Sequence, residues 1–428
     1  MKTTAILFVI LLLGAFAHGS DWEAGIAKID ITPTELGWMA GYAARKGPAE
    51  NVMQPLFAKA ASFQDADGAR MVVVTLDLIG VPKPIRVNLE KLVADKYGLK
   101  PEQLMINASH THSGPAIRLF RPEGGKGEPR VGYDKVPEEE QPMRVRQIQE
   151  YNKMLIEKIG AVIGEAISKQ APAKLSWGRA RCGFAMNRRT PLDQGTRFQN
   201  HPNPDGPVDH DVPVLQLQDA EGELLGVLFG YACHATVLGT MEIHGDWPGY
   251  AQQYFEEDNK GAIAMFVNGC SGDQNPYPRR LQPYVERHGR AMAMAIEAAL
   301  QTKQLPISGK LRSAIAWPDV PYAPAPTREE LEERIKTQKG YDLIYSHFLL
   351  AELDSVGSLP KSYPVPVQAI RFGDSLTMVA IGGETTIDYA LRLKRELGEK
   401  TGGAVWVAGY SNDVMTYIPS DRVLKEGG

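Results

Sequence analysis

Cysteine is scarce in this sequence: three in 428 residues, Cys182, Cys233 and Cys270. So small and odd a number excludes a disulfide scaffold, and no Cys-x-x-Cys pair is present to hold a structural zinc. All three read as small buried residues. A basic excess is missing too. Lysine plus arginine number 47 against 51 acidic residues, a net charge of −4. A nucleic-acid binder needs a basic face, so no nucleic-acid partner is expected. Internal repeats and low-complexity linkers are absent, and so is any long apolar run beyond the first residues. What remains is 43% hydrophobic and 23% charged, a globular rather than a disordered composition.

The first residues follow an export pattern. Met1-Lys2 is basic, Ala5 to Leu13 is apolar, and Ala15-Phe16-Ala17 offers small residues where a signal peptidase reads. The run is too short to cross a bilayer, which takes ~20 residues. The pattern predicts a signal peptide over 1–17, cleaved after Ala17. The mature chain, 18–428, is then expected to be secreted or periplasmic. A lipid substrate would draw it to a membrane surface.

Apolar runs and helical periodicity alternate along the rest. Met71 to Val81 and Leu104 to Ala108 read as buried strands, with a helix from Pro84 to Tyr97 between them. Val145 to Ser168 carries apolar residues at helical spacing. Val212 to Gln218 and Leu224 to Cys233 flank a turn, as do Val367 to Phe372 and Leu376 to Ile381. Ala262 to Val267 and Ala404 to Ala408 read as strands, and Gln282 to Leu300 and Thr386 to Leu397 as helices. Arg118 to Met143, rich in Gly, Pro and charge, reads as a long loop. The length allows two or three domains, but with no linker we expect one large α/β domain. Its mixed sheets are flanked by helices and its site lies at strand carboxyl ends.

Four apolar strands each run into a polar residue able to hold metal. Met105-Ile106-Asn107-Ala108 leads to Ser109-His110-Thr111-His112. Leu228-Phe229-Gly230-Tyr231 leads to Cys233-His234. Met378-Val379-Ala380-Ile381 leads to Gly382-Gly383-Glu384. Val405-Trp406-Val407-Ala408 leads to Gly409-Tyr410, with Tyr417 close behind. Two imidazoles and a carboxylate suit Zn²⁺, which in catalytic sites keeps a position open for water. Each residue also has a plain structural role open to it. A single histidine after a strand serves as a hydrogen-bonded core residue, Glu384 as a cap for the helix that follows, and Tyr417 as a packed aromatic. All four plain roles would have to hold at four corresponding strand ends.

A second cluster, Asn268-Gly269-Cys270-Ser271-Gly272-Asp273-Gln274-Asn275-Pro276, is either a tight turn or a loop aiming amides at an oxyanion. Asp246 reads as a helix cap or as an acceptor orienting a ligand histidine. Asn187-Arg188-Arg189 offers guanidinium groups, whose plain role is on a solvated surface.

These motifs resemble the neutral/alkaline non-lysosomal ceramidase family. The resemblance runs from Gly25-Ile26-Ala27-Lys28-Ile29-Asp30-Ile31-Thr32-Pro33 to Tyr417, with Ser109-His110-Thr111-His112-Ser113-Gly114-Pro115 its most specific piece. It implies a zinc ion held by His110, His234, Glu384 and Tyr417, with His112 and Arg188 acting around the substrate amide. It implies hydrolysis of the ceramide N-acyl bond to sphingosine and a fatty acid. In the family the glycine-rich turn carries a serine where this chain has Asn275, next to Asp273. Asparagine cannot form an acyl-enzyme, so attack by metal-activated water is expected. Ending at Gly428, the chain is expected to lack the family's C-terminal β-sandwich domain. Two other functions stay open: hydrolysis of a different small-molecule or lipid N-acyl amide or ester, and a non-catalytic binding protein on the same fold.

Overall fold

The computed structural model describes residues 21–119, 139–195 and 197–427. The signal-peptide segment and most of the expected loop from Arg118 to Met143 lie outside the described residues.

A nine-stranded mixed sheet forms the centre. Its strands run in the order Ile263–Asn268, Leu224–Tyr231, Asp211–Asp219, Ala171–Arg181, Trp22–Asp30, Phe57–Asp65, Arg70–Leu76, Leu104–Ala108, with Leu305–Ile307 alongside Ala171–Arg181. The pairs at the two ends of this order are parallel, Gly226 opposite Ile263 and Val72 opposite Leu104. A second sheet orders Leu311–Ala316, Val367–Phe372, Leu376–Ile381 and Ala404–Ala408.

Alternation along the strands explains the layers. Val72, Val74 and Leu76 face one side, against the helices Lys83–Tyr97 and Gln141–Ser168. Met71 and Val73 face the other, where Met105, Leu228 and Met265 meet Ile370, Met378 and Trp406 of the second sheet. Successive side chains on a strand point to opposite faces, so a strand covered on both sides must be apolar throughout. Each such buried aliphatic side chain stabilises the fold by about 1.5–3 kcal/mol. The helix Ile387–Thr401 covers the outer face of the second sheet. The helices Asp246–Asp258 and Gln282–Gln301 close a further core around Phe229, Trp247 and Phe266. The result is the expected α/β arrangement of mixed sheets flanked by helices.

Most expected elements stand where the pattern put them. The Met71 to Val81 strand is shorter, ending at Leu76, because the backbone beyond it turns to serve the site. The carbonyls of Leu76 and Leu78 accept from the amides of Ser109 and His110. The helices Arg328–Thr337 and Tyr341–Val356 were not anticipated. The first had a readable start, since Thr327 and Glu330 form a capping box. Among the described residues no helix is long and apolar enough to cross a membrane.

Candidate metal centre

The strand ends converge because one buried amide ties them together. Asn107 donates through Nδ2 to the carbonyls of Gly409 at 2.8 Å and Asn268 at 3.3 Å, and accepts the Asn268 amide at 2.8 Å. Tyr410 N donates to Gly383 O, and Gly272 N to Thr385 O. Four segments remote in sequence are thereby stitched at their backbones. Gly409 is required here, since a Cβ would lie 2.6 Å from Thr385 Oγ1 and 2.8 Å from Gly269 O. His110 and Tyr410 both adopt left-handed backbone, φ 62° and 49°. That conformation costs a non-glycine residue about 1–3 kcal/mol and persists only where the surroundings enforce it.

The imidazoles are fixed by their outer nitrogens. His110 Nδ1 lies 2.6 Å from Ile79 O, and His234 Nδ1 lies 2.7 Å from Ser271 O. A carbonyl only accepts, so each Nδ1 carries a proton and each ring turns its Nε2 inward. Both Nε2 atoms face one carboxylate oxygen. Glu384 Oε2 is 3.2 Å from His110 Nε2 and 3.5 Å from His234 Nε2. Burial pushes His234 down to about 3, with Arg188 adding to the shift. Burial opposes ionisation of Glu384, but the neighbouring His110 and His234 outweigh it and keep its carboxyl well below the usual range. With both rings neutral, three electron-pair donors face one point, and His234 Nε2, fully buried, has no hydrogen-bond partner. Such a grouping is repulsive unless a cation occupies its centre. Zinc fits the donors: tetrahedral bonds of ~2.0–2.1 Å place neighbouring ligand atoms roughly 3.3 Å apart. The carbonyls behind each Nδ1 are the outer partners that zinc-bound histidines ordinarily have.

His112 stands at the edge of this group. Its Nε2 is 3.0 Å from His110 Nε2, and one ring nitrogen from each of His110, His112 and His234 lies within 4.8 Å of the other two. Burial and the two other imidazoles hold His112 well below its ordinary pKa.

Tyr417 pairs in register with Glu384 on short parallel strands. Its ring is 46% exposed, but its hydroxyl turns inward to accept from Arg188 Nη2 at 2.9 Å. Burial of that hydroxyl raises it to about 12, against the pull of Arg188. Arg188 leaves the solvated surface of the plain reading. It donates to Gly272 O at 2.7 Å and to Asn275 Oδ1 at 3.3 Å. Burial works against its charge, but Tyr417, Tyr410 and Glu384 outweigh that.

Asp273 and Asn275 face different partners from those expected of an oxyanion loop. Asp273 Oδ1 accepts the amide of Ile387 at 2.9 Å, and Oδ2 meets Asn187 and Arg422. Asp273, not Glu384, therefore serves the amino end of the helix Ile387–Thr401, and Glu384 is left to the histidines. Asn275 accepts from Arg188 and Thr236 and donates to Asn200 at 3.0 Å. Both residues hold the walls of the site. Asp246 is neither a helix cap nor a partner of a ligand ring. Gly245 occupies the cap position, and the Asp246 carboxylate accepts the amides of Val237, Leu238 and Trp247. That anchors the segment after His234, whose carbonyl accepts from Trp247 Nε1 at 2.9 Å.

Sequence reasoning missed Asn107 and underused Tyr410. A polar residue ending an otherwise apolar strand was the available signal for Asn107. Tyr410 packs its ring 4.5 Å from that of His110 and sets its hydroxyl 3.5 Å from Glu384 Oε2.

Fold and sequence point to one class. The chain shares its fold with a crystal structure of neutral ceramidase from Pseudomonas aeruginosa: TM-score 0.67, 21% identity, 93% of this chain and 69% of that one. A ceramidase complexed with C2 superposes with TM-score 0.68 at 20% identity, covering 94% of this chain and 70% of that one. In sequence the chain resembles the neutral/alkaline non-lysosomal ceramidase family, whose N-terminal profile matches residues 22–121. The neutral ceramidase of Pseudomonas aeruginosa is 26% identical over 287 residues, 64% of this chain and 40% of that protein. The match thus spans about two fifths of the relative's length.

Proposed function

We propose that this chain is a zinc-dependent hydrolase of N-acyl amide bonds, the reaction class of the ceramidases it resembles. The observation that carries the reading is the convergence of His110 Nε2 and His234 Nε2 on Glu384 Oε2, with each Nδ1 held by a backbone carbonyl. His110, His234 and Glu384 would hold the ion, and Tyr417 completes the set by resemblance to the family. Bound zinc supplies Lewis-acid activation of the amide carbonyl and of the attacking water.

The chain's own residues supply the rest. His112, neutral at pH 7, turns Nε2 toward the centre, 3.0 Å from His110 Nε2, and accepts a proton there. Arg188 is a fixed positive charge beside the Tyr417 hydroxyl, placed to stabilise the developing oxyanion. Asn275 holds Arg188 and offers no nucleophilic oxygen, so water rather than a side chain attacks.

The test is metal content and turnover together. Purified protein should contain about one zinc per chain. His234→Ala should lose both the metal and hydrolysis of a panel comprising ceramide and short N-acyl amides. Undiminished hydrolysis after complete chelation would refute the proposal. Metal-dependent turnover of any member would end the non-catalytic alternative.

A further inference from the structure

Around the Tyr42 ring, which packs against His112, the structure gathers cations that have no ion pair among the described residues. The Tyr42 ring packs 4.9 Å from that of His112. The guanidinium of Arg45 lies 4.9 Å from the Tyr42 ring centre, and that of Arg280 lies 5.5 Å from it. The three arginines differ. Arg45 is tied down, donating to the carbonyls of Ala40, His112 and Thr240. Arg279 is half-buried and Arg280 exposed, and among the described residues neither has an ion pair or a side-chain hydrogen bond. The charged groups acting on Arg279 include Arg280 and Arg188, which repel it, and Asp246, with Tyr42 and Tyr277 as its polar neighbours. Burial first, and then Arg280, lowers its pKa. Asp246 acts on it without forming an ion pair, its oxygens already accepting three backbone amides.

The backbone is shaped to hold this pair. Arg280 sits at φ 83°, left-handed and unfavourable for a side chain of its size. Its amide donates to Val237 O at 2.6 Å. Gly239 leaves the space its guanidinium fills, since a Cβ there would lie 2.9 Å from Arg280 Nη1. Adjacent guanidiniums, one half-desolvated, repel each other. An anion between them converts that repulsion into charge-assisted hydrogen bonds.

We infer that Arg279 and Arg280 form an oxyanion-binding subsite beside Tyr42, and that the N-acyl amide cleaved here carries an anionic group on that side. Ceramide, with its neutral headgroup, leaves the subsite empty. This inference rests on the proposed amide hydrolysis for its substrate, but the subsite itself can be read without turnover.

Three probes with one acyl chain separate the cases: N-decanoylglycine (a carboxylate), O-phosphoryl-N-decanoylethanolamine (a phosphate) and N-decanoylethanolamine (neutral). Binding is measured by calorimetry on the metal-free full chain, and kcat/KM on the zinc-loaded chain. In the wild type, an anionic probe should bind at least about tenfold more tightly than the neutral one, a preference of the size charge-assisted contacts supply. Whichever anion wins names the source. Arg279→Ala/Arg280→Ala should abolish the preference, and Arg280→Lys should keep part of it. Charge-selective binding without hydrolysis of any probe would leave the subsite standing and sink the proposed reaction. Hydrolysis with no preference among the probes in the wild type would overturn the subsite and leave the reaction intact. The wild-type comparison decides this even should the double variant fail to fold.

Discussion

The two sheets contribute to one centre in different ways. The nine-stranded sheet delivers His110 and His234, 2% and 0% exposed, each ring locked through Nδ1 to a carbonyl. The four-stranded sheet ends at Ile381 and Ala408, and the chain beyond them carries Glu384 and Tyr417 on a separate pair of short strands, Tyr417 46% exposed. The imidazole side is set by the packed interior. The oxygen side has one half-buried member and one at the surface. Rigid, desolvated donors fix where a cation must sit, and a half-exposed phenol can adjust to what arrives.

The sharpest way to break this comparison is Glu384→Gln. It keeps the shape and removes the charge on which both histidines converge. Metal content and turnover should fall at least about 100-fold, beyond the loss typical of a weakened outer partner. The metal-free variant should unfold at the same or higher denaturant concentration, because an amide N–H can donate to a bare Nε2. Clear destabilisation of the metal-free variant would mean that Glu384 and the histidines form a structural ion pair instead.

A smaller effect is expected at the rim. Tyr417→Phe removes a hydroxyl held by Arg188 but leaves the buried donors in place. Turnover should drop about 10- to 100-fold, as for loss of one oxyanion-stabilising group or outer ligand, with zinc still bound. Loss of zinc equal to that of His234→Ala would erase the distinction between interior and rim.

The smallest effect concerns pH and the imidazole side alone. Burial depresses His234 to about 3 and His244 to about 4, below the ~6.5 of an unfolded histidine. The unfolded chain then binds more protons, so their contribution is fully present above pH ~6.5 and is lost as pH falls toward those values. Between pH 6.5 and 5, each histidine removes about 2 kcal/mol from the stability of the metal-free protein. Chemical denaturation at pH 7.5 and 5 checks this. A midpoint that stays level or rises on acidification would show that these rings are solvated.

How much of this was legible in the sequence differs by residue. The strand from Leu104 to Ala108 was readable from its apolar run, and the helix from Lys83 to Tyr97 from its periodicity, because each buries a face set by local spacing. The histidines and Glu384 stood out as polar residues where apolar strands stop. Asp273 did not give away its partner, since the amide it caps belongs to Ile387, 114 residues on. Arg188 looked like a surface charge, because nothing nearby in sequence reveals that Gly272, Asn275 and Tyr417 surround it.

By itself, the sequence determined which residue types stand at the ends of which strands, because hydrophobic alternation and chain-breaking glycines are local signals. Only the tertiary structure decided which nitrogen of each ring faces inward, that Asp273 rather than Glu384 serves the helix, and that two arginines near Tyr42 have no ion pair among the described residues. The physical reason is that hydrogen-bond partners and desolvation are set by whichever segments the sheets bring into contact, and that contact is made across hundreds of residues by buried groups such as Asn107.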